Sequence, residues 1–134
     1  MSKLELKNMS FKAGLDLKIT GVPNSDANAF IINIGHSDDN IALHFNPRFD
    51  HEGDHRTIVC NSLHNGSWSD EQREGNFPFQ QGEEFKVTIS FDNDSFQIKL
   101  PDGHVMHFPN RFGDDKYKHI HVHGDVRIKG FKMK

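Results

Sequence analysis

Phe85-Lys86-Val87-Thr88-Ile89-Ser90-Phe91 sets apolar against polar side chains with a strict period of two. That period fits a strand with one buried face and one wet face. A turn at Asp92-Asn93-Asp94 connects it to Phe96, Ile98 and Leu100, where the alternation repeats. Pro101-Asp102-Gly103 is a further hairpin signal, leading to Val105-Met106-His107-Phe108.

Upstream, Leu15, Leu17 and Ile19 read as a strand with a loop over Gly21-Val22-Pro23-Asn24-Ser25-Asp26, and Phe30, Ile32 and Ile34 as the next. A polar connection from His36 to Asn40 precedes Ile41, Leu43 and Phe45. The polar segment Asp50 to Arg56 reads as a loop before the strand-like Thr57-Ile58-Val59-Cys60-Asn61. Asn65-Gly66 is a favoured two-residue hairpin turn, so the Asn61 and Trp68 segments should pair. At the ends, apolar parity shifts near Asn8 and again across Gly130, which suggests a bulge or bend, while Ile120, Val122, Val126 and Ile128 alternate in phase. The region from Phe112 to Lys118 holds a helical turn at most. No segment keeps a 3.6-residue period, and turn signals recur every ~8–12 residues, so the chain reads as an all-β sandwich or barrel of short antiparallel strands.

A chain of 134 residues suits one domain, spanning 1–134, around one core. The net charge is -3 and the Lys and Arg residues are scattered, which argues against a nucleic-acid partner. Cys60 is the only cysteine, so no intramolecular disulfide can form and a reducing compartment is expected. By parity Cys60 points away from Asn61 and reads as a small buried hydrophobe. The N-terminus lacks the hydrophobic region of a secretory signal and no apolar run approaches ~18 residues, so no membrane insertion is expected. The expected location is cytoplasmic, and any extracellular role needs another export route.

The polar chemistry concentrates between His44 and Arg73. His44, Asn46 and Arg48 are two apart and share one strand face, with Leu43 and Phe45 on the other. Trp68, the only tryptophan, offers a flat apolar platform with a polar edge. Asn61 and Glu71 add an amide and a carboxylate that can share one hydroxyl. Arg48, Glu71 and Arg73 make sense as a charge network in which the Glu71 carboxylate orients both guanidinium groups, with Asp54 as a fourth member. Such a set suits a ligand that is half hydroxyl and half C–H, as a pyranose is. Adjacent Asp70 and Glu71 point to opposite strand faces, which is wrong for a glycosidase pair, so no catalytic residue is assigned. His119, His121 and His123 share one strand face at a spacing that can bind zinc; with no further ligand in view they read as a solvated polar face, and no metal or cofactor is assigned.

At these positions the chain resembles the galectins, the β-galactoside-binding lectins. His44-x-Asn46-Pro47-Arg48, Val59-x-Asn61 and Trp68-x-x-Glu71-x-Arg73 match the family signature in order and spacing, and Phe108-Pro109-Asn110-Arg111 is similar to the single-domain, prototype members. The resemblance implies a two-sheet antiparallel jelly-roll β-sandwich, of the galectin and legume-lectin kind, with sugar on its concave face. It assigns His44, Asn46 and Arg48 to the axial 4-hydroxyl of galactose, Asn61 and Glu71 to the 6-hydroxyl, Trp68 to stacking, and Arg48, Glu71 and Arg73 to the neighbouring sugar. Val59 belongs to the same signature. It also implies no metal requirement, secretion without a signal peptide, and homodimers through the terminal strands, where Leu4, Leu6, Ile128, Phe131 and Met133 leave apolar surface. His51, Glu52 and Asp54 lie where an extended sugar would pass and are candidates for fine specificity. The competing readings are an intracellular β-barrel lipid carrier and a structural protein of the same fold that has lost sugar binding.

Overall fold

The computed structural model describes residues 3–134, which form twelve strands and no helix. In chain order these are β1 (Leu4–Lys12), β2 (Leu17–Pro23), β3 (Phe30–Ser37), β4 (Asn40–His51), β5 (Asp54–His64), β6 (Ser67–Trp68) and β7 (Gln72–Glu74). They continue with β8 (Phe85–Phe91), β9 (Ser95–Lys99), β10 (Val105–Pro109), β11 (Lys116–Gly124) and β12 (Val126–Met133). One antiparallel sheet has the order β1-β11-β3-β4-β5-β6, with β7 also on β5, and the other runs β10-β9-β8-β2-β12. Each sheet keeps its own edges, so this is the two-sheet sandwich and not the closed barrel of a lipid carrier.

The alternation that defined β8 also defines which way each sheet faces. Phe85, Val87, Ile89 and Phe91 are buried against inward residues of the opposite sheet, among them Phe11, Phe30, Phe45 and Tyr117. Phe30 and Phe85 stack with centroids 5.0 Å apart, and Phe11 meets Phe91 edge-on at 4.9 Å. Each fully buried side chain of this size contributes about 1.5–3 kcal/mol, and with no disulfide this packing is what joins the sheets. Cys60 sits in the same core, where burial pushes its thiol pKa up and leaves it unreactive.

The structure corrects three local expectations. Gly21, Val22 and Pro23 belong to β2, where Gly21 pairs with both Phe85 and Ile128, instead of opening a loop. Asp50 to Arg56 is a tight hairpin, turning at Glu52 (φ 49°) and Gly53 (φ 85°), so that His51 faces Asp54. Between Phe112 and Lys118 the expected bound of a helical turn at most is kept: Arg111 and Phe112 lie in a turn, and β11 already begins at Lys116. Ile120 and Val122 lie in one sheet while Val126 and Ile128 lie in the other. The switch occurs at Gly124, at φ 106°, where a Cβ would stand 2.8 Å from the Cα of Phe30; only glycine satisfies both demands. The expected irregularities near Asn8 and Gly130 are present as register shifts, with Asn8 at φ 63°.

Candidate functional site

Opposed residues in neighbouring antiparallel strands share a face. Asn33 of β3 stands opposite His44 of β4, and His44 opposite Asn61 of β5, so a polar row crosses three strands on the outer face of the larger sheet. The Asn65-Gly66 hairpin (φ 49° and 81°) returns the chain so that Ser67 pairs with His64 and Trp68 with Leu63. The favoured turn chemistry therefore delivers the Trp68 ring beside His44, with centroids 4.7 Å apart.

Each polar side chain in this row is held by the protein on one side and unspent on the other. His44 Nδ1 lies 2.7 Å from Asn33 Oδ1, an acceptor, so the ring proton sits on Nδ1 and Nε2 keeps its lone pair. Burial, with smaller electrostatic contributions from His123 and Arg48, pushes the His44 pKa down to about 4 and keeps that lone pair free at neutral pH. Asn46 is buried; its Nδ2 donates to the Phe30 carbonyl at 2.9 Å and its Oδ1 accepts from Arg48 Nε at 2.9 Å. One Asn46 amide proton and the Arg48 Nη2 group remain as donors. Asn61 Nδ2 donates to the Ser69 carbonyl at 3.0 Å and its Oδ1 accepts from the Ser62 N–H at 2.8 Å, again leaving one amide proton. Glu71 Oε1 accepts from Arg73 Nη1 at 2.8 Å, and Oε2 remains an acceptor.

The charge network differs from the expectation in one respect. The carboxylate between the two guanidinium groups is Asp54, which accepts from Arg48 Nη1 at 2.8 Å and from Arg73 Nη2 at 3.1 Å and Nε at 3.3 Å, whereas Glu71 touches Arg73 alone. Hydrogen bonds from Arg73 and then Arg48 hold the Asp54 carboxyl below its usual range. Asp54 is therefore the positioning carboxylate, and Glu71 is free to accept from a ligand.

These residues enclose an open groove of about 600 Å³, within the size range of small-ligand sites. His44, Asn46 and Arg48 line it from β4, Val59 and Asn61 from β5, and Trp68 and Glu71 from the returning chain. His51 and Glu52 also line it, as does Ile31, while Arg73 and Asp54 stand outside the lining and act through Arg48 and Glu71. Trp68 is 53% exposed, an unusual state for the only tryptophan of a chain unless something covers it. The terminal residues Leu4, Leu6, Ile128, Phe131 and Met133 lie far from the groove in connectivity, on the two edge strands β1 and β12.

Two residues escaped the sequence reading. Asn33 fixes the His44 tautomer; the apolar parity of Phe30, Ile32 and Ile34 already placed it on the opposite, outer face. Arg111 stacks over Phe108 at 4.7 Å and donates to Ser62 Oγ at 3.0 Å, to Asn61 Oδ1 at 3.3 Å and to the Asp70 carbonyl at 2.9 Å. It ties the Trp68 segment to β5, yet only its place after Phe108-Pro109-Asn110 marked it. The histidine row is also not a solvated face: His119 is 7% exposed and bonded to Glu5 at 3.0 Å, and His121 Nε2 is buried.

The model of the galactoside-binding lectin family matches residues 2–133. The β-galactoside-binding lectin of Electrophorus electricus is 48% identical over 96% of this chain and 95% of that protein. Among solved structures, lactose- and MES-liganded congerin II superposes with a TM-score of 0.96 at 40% identity, covering 99% of this chain and all of the other. CG-16, a homodimeric agglutinin from chicken liver, superposes equally well (TM-score 0.96) at 39% identity, with the same coverage. With a groove of unspent donors and acceptors beside an exposed indole, and with likeness of this extent along its whole length, the chain belongs to the galactoside-binding lectins, the galectins.

Proposed function

We propose that this chain is a lectin, not an enzyme, that binds β-galactosides such as lactose and N-acetyllactosamine and, as a homodimer, cross-links the glycoconjugates that bear them. The observation that carries this is the unspent set around Trp68. The axial 4-hydroxyl of galactose needs one acceptor and donors, and His44 Nε2, the second Asn46 amide proton and Arg48 Nη2 supply them. Asn61 and Glu71 Oε2 are matched to the 6-hydroxyl, and the indole to the C–H face of the ring. A sugar with an equatorial 4-hydroxyl would leave the His44 and Asn46 groups unpaired under the ligand, a strong source of discrimination. Arg48 and Glu71, oriented by Asp54 and Arg73, reach the neighbouring sugar, and His51 and Glu52 bear on what extends beyond it.

Lactose in the congerin II structure supports this reading, and the homodimeric CG-16 supports pairing of two copies. We place the interface on Leu4, Leu6, Ile128, Phe131 and Met133, take residues 1–134 as one carbohydrate-recognition domain, and expect synthesis in the cytoplasm with export that uses no signal peptide. A reducing cytoplasm suits the buried Cys60. No helix among the described residues is long and apolar enough to cross a membrane.

Calorimetric titration with lactose tests the site. Wild type should bind one lactose per chain, and Trp68→Ala and Arg48→Ala should lose binding while keeping the fold. Absence of heat at millimolar lactose, or displacement of a fluorescent fatty acid instead, would reject the reading.

A further inference from the structure

Outside the sugar groove, the larger sheet gathers a second set of chemistry-bearing groups. His119 and His121 are two apart on β11 and share its outer face, and Glu5 of β1 stands opposite His121. Asp38, in the turn between β3 and β4, reaches the same place. One ligand atom from each of Glu5, Asp38, His119 and His121 lies within 4.8 Å of all the others.

The geometry points to a site for a divalent transition-metal ion of the zinc class, bound by Glu5, Asp38, His119 and His121.

Two imidazole nitrogens with two carboxylate oxygens form a ligand set that favours zinc, cobalt or nickel over calcium or magnesium, which prefer oxygen alone. Bonds of about 2.1 Å in tetrahedral array place ligand atoms roughly 3.4 Å apart. His119 Nε2 lies 3.0 Å from Glu5 Oε2 and 3.8 Å from Asp38 Oδ1, which brackets that spacing. A His119–Glu5 ion pair accounts for two of the four groups only. The His121 ring nitrogen Nε2 is buried and has no hydrogen-bond partner among the described residues. A buried ring nitrogen without a partner is costly, and a metal ion provides one. The Asp38 side chain is 80% exposed and at a turn, so it can close on an ion without moving the sheet. An open cavity of about 290 Å³, lined by Asp38 and His119 among others, gives an ion its way in. The two carboxylates balance the double charge of the ion, and coordination through Nε2 leaves the His119 proton on Nδ1.

This site is independent of sugar recognition, since none of its four ligands lines the groove. The test is titration of the full chain with Co²⁺, read by visible absorption, and with Zn²⁺, read by calorimetry, in a non-chelating buffer at neutral pH. One ion per chain and the strong d–d bands of four-coordinate cobalt are expected. His121→Ala and Glu5→Gln should each weaken uptake by at least about tenfold, with their folds checked by thermal melting, while His55→Ala should not. Asp38→Asn, at an exposed turn, carries the same expectation should His121→Ala fail to fold. No stoichiometric uptake by wild type at millimolar Zn²⁺, or equal affinity in Glu5→Gln and Asp38→Asn, would overturn the assignment.

Discussion

Asp54 illustrates how a residue that need not touch a ligand can set the geometry of those that do. One carboxylate holds two guanidinium groups, and through them the free faces of Arg48 and Glu71 are fixed before a sugar arrives. Asp54→Ala should therefore weaken lactose binding by at least about tenfold, the ~1.4 kcal/mol expected of one charge-assisted hydrogen bond. Calorimetry giving an affinity within twofold of wild type would refute that role. The sequence offered Asp54 only as a fourth member of the network; its central part was hidden because Glu52-Gly53 is not among the favoured hairpin dipeptides, so the tight turn that sets Asp54 against β4 was not legible. His44, Asn46 and Arg48 were legible because strand parity alone aligns them. His44 carries a second prediction. Its pKa of about 4 in the fold lies below the ordinary value of 6.5 that the unfolded chain retains. Between those values the unfolded state binds more protons, so the stability His44 contributes is complete above pH 6.5 and is lost as pH falls to 4. That gap corresponds to on the order of 3 kcal/mol. Lactose affinity should hold down to about pH 5 and fall through pH 4, as Nε2 becomes a donor; an NMR titration midpoint for His44 near 6.5 would contradict this.

At the scale of elements, the strands themselves were readable because alternation records which face is buried, and β8, β9 and β10 emerged with their turns. The switch from β11 to β12 was not, because Ile120, Val122, Val126 and Ile128 stay in phase through it. Inward residues of both sheets face the same core, so changing sheets at Gly124 leaves no break in the pattern. The segment bearing Trp68 shows a different dependence. Its strand β6 has two residues and its pairing to β5 is short, so its position depends on Arg111. Arg111→Ala should weaken lactose binding by about three- to tenfold although the residue lies outside the groove, and Arg111→Lys should not restore it, because an ammonium cannot span Ser62, Asn61 and Asp70 as the planar fork does. Calorimetry on the two variants checks this, and full rescue by lysine would show that charge alone suffices.

For the whole molecule, the two sides of the sandwich differ. On one side the edges are β1 and β12, nine and eight residues long, with Phe131 38% exposed. On the other, β6 and β7 are short, β10 ends in Pro109, and Gln72 Nε2 donates to the His107 carbonyl while His104 pairs with Glu74. Long edges with apolar side chains invite pairing, and short, capped ones resist it. Phe131→Asp should shift the proposed dimer to monomer in sedimentation and abolish agglutination, with lactose affinity per chain unchanged; a dimer that persists would move the interface elsewhere. A particle with a single adhesive side terminates itself once paired. Growth beyond two copies then has to run through the glycans, so turbidity with a bivalent galactoside should peak at one ligand per pair and redissolve in excess, the equivalence behaviour of a precipitin.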